Sequence, residues 1–222
     1  MNRVDFSVAS QAGSTLATNK LIKNTYMLLS ATLVFSAIMA AVSIVAQPPS
    51  IIAMVCLIGG MVLGIFVLPK AANSSAGLGV IFLITGLLGF ALGPMLTQYL
   101  AMEKGPQIVG TAFGGTGIIF LSLSGYALTS KRDFSFMGGF LFAGMMVVML
   151  AMVANWFLAL PGLALALSAA VILLMSGFIL FDTSRMINGG ETNYIHATFG
   201  LYLSIFNIFI HLLSILGVMS DD

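Results

Sequence analysis

The length of its uncharged stretches limits this chain more than any other feature. Apolar runs lie at about 25–46, 51–68, 77–96, 107–128, 136–158, 163–181 and 196–217, separated by little more than turns. A hydrocarbon core about 30 Å thick takes roughly 20 helical residues to cross, and each run reaches or nearly reaches that length. Only 7% of the 222 residues are charged, against about a quarter in a soluble domain. The breaks "QPPS", "PKAANSS", "EKGP", "SKRDFS", "LPG" and "INGGETN" carry turn-forming residues. Backbone groups in lipid must bond within their own segment, and no run alternates as the strands of a barrel do, so the runs are read as helices. The expectation is an all-α integral membrane protein. It is a seven-transmembrane helix bundle over residues 25–217, between a polar tail at 1–24 and a short tail at 218–222.

The few charges orient the bundle. Arg3, Lys20, Lys23, Lys70, Lys131, Arg132 and Arg185 fall on one side, and Lys104 stands opposite with Glu103 beside it. The positive-inside rule then predicts a cytoplasmic N-terminus and a C-terminus on the far side. Eight scattered basic residues make no face for nucleic acid. Cys56, alone in an apolar run, allows no internal disulfide and reads as a small hydrophobe. Gly86, Gly89 and Gly93 in the third run, and Gly110 and Gly114 in the fourth, are the spacings that let membrane helices approach closely. Pro94 is expected to kink its helix.

The last run, "LYLSIFNIFIHLLSILG", is apolar enough to span yet polar along one side. Gly200, Ser204, Asn207, His211 and Ser214 recur at helical spacing on one face. Unpaired polar groups in hydrocarbon are costly, so this face must meet protein or water. The last helix is therefore expected at the centre, ringed by the other six. Its seam is either interhelical glue or a water-accessible path.

A second cluster closes the sixth run in "GFILFDTSRMINGGETNYI", where Asp182 and Arg185 stand three residues apart, within pairing distance on a helix. They read as a helix-end ion pair or as a carboxylate guarding the mouth of the seam. Lys70, Glu191 and His196 are secondary candidates. No catalytic, cofactor or firm metal site is expected. Ser204 and His211 lie about 10 Å apart along one helix, too far for a nucleophile and its base, and no HExxH, GxSxG or phosphate loop occurs.

The segments "GFILFDTSRMI" and "GGETNYIHATFGLYLSIFNIF" resemble the signature region of the Bax inhibitor-1 family of seven-span membrane proteins. "NTYMLLSATLVFSAI", "GGTGIIFLSLSGYALTSKRDFSFMGG" and "MVANWFL" are similar to its bacterial YccA-like branch. The resemblance runs from about residue 20 to the end. It implies a bundle with the last helix central and, as in several relatives, a pH-sensitive calcium leak closed by paired aspartates. For the bacterial branch it also implies an inner-membrane location and a partner, the membrane-anchored ATP-dependent protease FtsH, whose degradation of membrane proteins is restrained. Asp182 matches the first aspartate of the pair. The second position is Ser204, in "LYLS", so the paired-carboxylate switch is not carried over. Asp182 is then expected to pair with Arg185 or Lys70, leaving His196, His211 or Glu191 for any pH response. Two functions follow as expectations: modulation of FtsH, favoured by the missing aspartate, and alternatively a cation path, most plausibly for calcium.

Overall fold

The computed structural model describes residues 3–220, with side chains from residue 16 onward. Asp221 and Asp222, at the end of the expected C-terminal tail, lie outside the described residues, as do Met1 and Asn2. All regular structure among the described residues is helical. The order is α1 (Arg3–Ala46), α2 (Ser50–Val62), a π-helical turn (Leu63–Val67), α3 (Leu68–Ala71), α4 (Ala76–Ala91), α5 (Gly93–Leu100), α6 (Gly105–Ser130), a 3-10 turn (Ser135–Met137), α7 (Gly138–Leu158), α8 (Pro161–Ile187) and α9 (Tyr194–Ser220). Grouped by continuity, they make seven helical stretches long and apolar enough to cross a membrane. The protein is a multi-pass all-α membrane protein.

Two boundaries differ from the sequence reading. The tail expected at 1–24 is drawn into α1 from Arg3, and the stretch apolar enough to span begins at Leu16. The second span does not stop at 68. Pro69 has no N–H and would crowd the carbonyl four residues back in a regular helix. The chain widens by one residue instead: the Leu68 N–H bonds to the Leu63 carbonyl, and helix continues to Ala71. Such π turns recur where an inserted feature must be absorbed without ending a helix. Pro94 acts as expected, splitting the third span between α4 and α5. The brief "LPG" break still permits two full spans, because Pro161 occupies the first turn of α8, where its missing N–H is harmless.

α9 is the central helix. It packs on α8, α6, α1 and part of α4, and eleven of its residues are buried, among them Leu201, Tyr202, Ser204 and Ile208. The ring of six is incomplete, however. α7 joins the bundle through α8 and the 3-10 turn, and α2 joins it mainly through α4. α7 is the least buried span, with Phe140 and Trp156 turned outward, as suits a helix bounded mostly by lipid.

The two glycine series part company. A Cβ at Gly89 would fall against the Ser36 carbonyl and one at Gly93 against the Ser43 side chain, so α1 and α4–α5 touch backbone to backbone. Gly110 and Gly114 were expected to serve the same purpose, yet nothing lies within 4 Å of either Cβ position. Their side of α6 faces away from the bundle.

Candidate functional site

The loop between α8 and α9 builds the mouth of the site. Gly189, at φ +79, reverses the chain after α8, and the N–H groups of Gly190 and Glu191 return to the Arg185 carbonyl. That closes the helix in the manner of a glycine C-cap. Glu191 Oε1 accepts the N–H groups of Thr192 and Asn193, both at 2.8 Å. Asn193 Oδ1 in turn accepts those of Ile195 and His196, capping α9. The Asn193 amide nitrogen donates to the Ala72 carbonyl and to Asn73 Oδ1, at 3.0 and 2.8 Å. One asparagine thus ties the loop to the end of the second span. On the other side, Ser184 Oγ accepts from the Phe134 N–H and donates to the Arg132 carbonyl, strapping the α6–α7 connection to α8.

These ties leave a cleft of about 310 Å³ with α9 as its floor, the π turn and α3 as one wall, and α8 as the other. Asp182, Arg185, Glu191 and His196 line it, among Gly64, Ile65, Leu68, Phe199 and Gly200. The structure therefore brings together four of the sequence candidates, while Lys70, next to Pro69 in the chain, is not among the lining residues. It does not make the expected ion pair. Arg185 Nη2 donates to the Gly190 carbonyl at 2.7 Å, and its guanidinium carbon lies 5.4 Å from the Phe181 ring centroid. Lys70 is exposed. Among the described residues no hydrogen bond or ion pair engages the Asp182 carboxylate, and the buried Nε2 of His196 has no partner.

The seam on α9 is the α8–α9 interface rather than a face turned fully inward. Ser204 is buried, but Gly200, Asn207, His211 and Ser214 are half-buried. Two contacts mark its ends. A Cβ at Gly200 would stand 2.7 Å from Asp182 Oδ2, and His211 Nδ1 lies 3.2 Å from Ser168 Oγ. Asn207 does not glue helices together: its Nδ2 donates to the Leu203 carbonyl of its own helix. Asp182 and Ser168 are 14 residues apart on α8, about 21 Å of helix, so Asp182, Ser204 and His211 cannot act as one catalytic set. Among the described residues no group of three or more His, Cys, Asp or Glu side chains is placed to hold a metal.

A second polar line escaped the sequence reading. Thr25, Thr32, Ser36 and Ser43 of α1 are buried and face α9 and α4–α5. Ser36 Oγ and Tyr202 Oη lie 2.7 Å apart, Tyr202 also donates to the Thr85 carbonyl, and Thr198 Oγ1 donates to the Thr25 carbonyl. The signal was the 7, 4, 7 spacing of hydroxyls on α1, which is one helical face. The π turn was equally hidden; its signal was a proline inside an apolar run.

The Gly200 position permits a direct prediction. Gly200→Ala is expected to push the carboxylate aside or open the α8–α9 contact, at about 1–3 kcal/mol of overpacking. Thermal unfolding in detergent, compared with Gly110→Ala as the open-space control, checks it.

The family model described as "Inhibitor of apoptosis-promoting Bax1" matches residues 18–221. The chain belongs to the Bax inhibitor-1 family. Within it, the chain is 51% identical over 209 residues to the Escherichia coli protein named "Modulator of FtsH protease YccA", covering 94% of each. It is 50% identical over 222 residues to an uncharacterized membrane protein of Vibrio cholerae, covering 100% of each. An uncharacterized protein of Pseudomonas aeruginosa is 40% identical over 223 residues, again with 100% of each covered.

Proposed function

We propose that the chain modulates, by restraint, the membrane-anchored ATP-dependent protease FtsH from within a bacterial inner membrane. The observation that carries this reading is the 51% identity, spread over 94% of both chains, to a protein named a modulator of FtsH protease. The same protein is named an inner membrane protein in a second E. coli strain. The end of the bundle bearing Lys20, Lys23, Lys70, Lys131, Arg132 and Arg185 is then cytoplasmic, with the N-terminus, and the C-terminus is periplasmic. α1 supports the reading in one further respect. It is 44 residues long, about 66 Å at 1.5 Å per residue, twice what a bilayer core needs. A helix of that length can carry its first turns beyond the membrane, within reach of a protease domain.

The test is the half-life of a membrane-protein substrate of FtsH co-reconstituted with this chain. The wild type is expected to lengthen it, and a form lacking residues 2–15 to lose most of that effect while its seven spans remain folded. Substrate decay unchanged by the wild type would remove the reading; full restraint by the shortened form would remove the role given to the first turns.

The cleft favours a second reading, a cation path. Asp182, Glu191 and His196 gather at one end of the α8–α9 seam, and His211 meets Ser168 further along it. On this reading calcium efflux from liposomes changes when Asp182 is replaced by Asn. Silence of both forms in well-folded protein would leave the seam as packing.

A further inference from the structure

The cleft holds a carboxylate that the protein itself leaves unmatched. Asp182 sits three residues inside Arg185, yet Arg185 is turned to the Gly190 carbonyl and the Phe181 ring. Glu191 commits only one oxygen, to two backbone N–H groups. Arg185 lines the same cleft and its charge acts on Asp182, but its hydrogen bond goes to the Gly190 carbonyl, so among the described residues nothing hydrogen-bonds to or ion-pairs with the carboxylate. One wall and the floor are apolar, with Ile65 and Leu68 on the first and Phe199 on the second, while the α8 wall carries Asp182 and Arg185. About 310 Å³ admits one long side chain and not a helix. A cleft with an apolar wall and floor, Asp182 against that floor at Gly200 and Glu191 in the loop at its mouth, is complementary to the methylene stem and charged head of a lysine or arginine. Membrane helices carry such residues at their cytoplasmic ends, at the level where this cleft opens.

We infer that the cleft is a docking socket for a juxtamembrane lysine or arginine of a partner's membrane helix, received on Asp182 and Glu191. The inference rests on the FtsH reading, which supplies the partner. It assigns the contact within the membrane to the gap between the second span and α8, separately from the first turns of α1. Gly64 and Gly200 keep the socket open, since a Cβ at the first would run into the Phe199 ring and one at the second into Asp182.

The experiment uses the full chain co-reconstituted with FtsH, and reads both retention of the protease and photo-cross-linking. A photo-reactive residue at Ile65, 58% exposed on the socket wall, is compared with one at Phe140, 73% exposed on α7. Ile65 is expected to cross-link to FtsH and Phe140 not to. Asp182→Asn combined with Glu191→Gln is expected to weaken retention about tenfold, as loss of a partly desolvated charge pair does. Ile65→Trp, which fills the socket without touching a charge, should weaken it comparably and guards against a folding defect in the double variant. If the wild type retains no protease, the FtsH reading and this inference fall together. If it does, but the socket variants retain it as the wild type does, the inference alone falls. It falls equally if Ile65 cross-links to a second copy of this chain, or if retention requires calcium and is abolished by a chelator, which would make the occupant an ion.

Discussion

Gly89→Leu is expected to prevent the bundle from assembling, whereas Gly114→Leu leaves it as stable as the wild type or slightly more so. Both residues belong to small-residue spacings within apolar helices, and their chemistry is identical. The difference is what stands in front of them. At Gly89 a single Cβ already meets the Ser36 backbone, and leucine would drive α1 and α4 apart along the contact that also positions the Ser36–Tyr202 hydrogen bond. Overpacking of this kind costs about 1–3 kcal/mol where neighbours can adjust. Here the obstacle is backbone, which cannot rotate away, so the cost lies at or above the upper end. At Gly114 nothing lies within 4 Å, and glycine is worse than leucine in a helix interior by up to about 1 kcal/mol. Size-exclusion profiles and thermal unfolding in detergent separate the two. An equal loss at Gly114 would mean that the outer face of α6 is covered by protein in the assembled state.

Tyr202→Ala carries the second large effect. The ring is 1% exposed, stacks on Phe206 at 5.9 Å, and delivers its hydroxyl to Ser36. Lipid tails are as apolar as the bundle core, so the transfer part of the usual core penalty largely vanishes. The void remains. A cavity on the order of 100 Å³ at about 24 cal/mol per Å³ costs about 2.4 kcal/mol. Tyr202→Phe keeps the ring and removes only the hydrogen bonds, each worth about 0.6 kcal/mol inside a membrane bundle. The alanine variant should therefore lower the unfolding temperature several times as much as the phenylalanine variant. Equal losses would shift the weight to the hydroxyl, and so to the buried polar line along α1.

That polar line shows where reading the sequence stops. The spans were legible because bilayer thickness is a single length, and a run of apolar residues either reaches it or does not. The centrality of α9 was legible for a related reason: Ser204, Asn207 and His211 on one face of a spanning helix cannot all point into lipid. Asp182 and Arg185 could be singled out because so few charges exist to choose from. Their relation could not. Helical spacing brings them within reach of one another, but the carbonyl at Gly190 and the ring of Phe181 compete for the same guanidinium, and the first is placed there by the turn at Gly189.

The sequence by itself determined what each segment must do toward lipid: seven helices, their alternating direction, and the sign of charge at each end. Those are decisions between a residue and its solvent, settled locally and without reference to partners. Only the tertiary structure decided which glycines are contacts and which are open, that Asn207 bonds within its own helix while Tyr202 reaches Ser36, and that Asp182 faces a cleft in which Arg185 is turned to the Gly190 carbonyl. Apart from the Asn207 bond within its own helix, those are decisions between segments distant in the chain. In a membrane every helix is already satisfied by lipid on all sides. The choice of neighbour therefore rests on close packing and single hydrogen bonds, terms too small and too dependent on shape to be written in hydropathy.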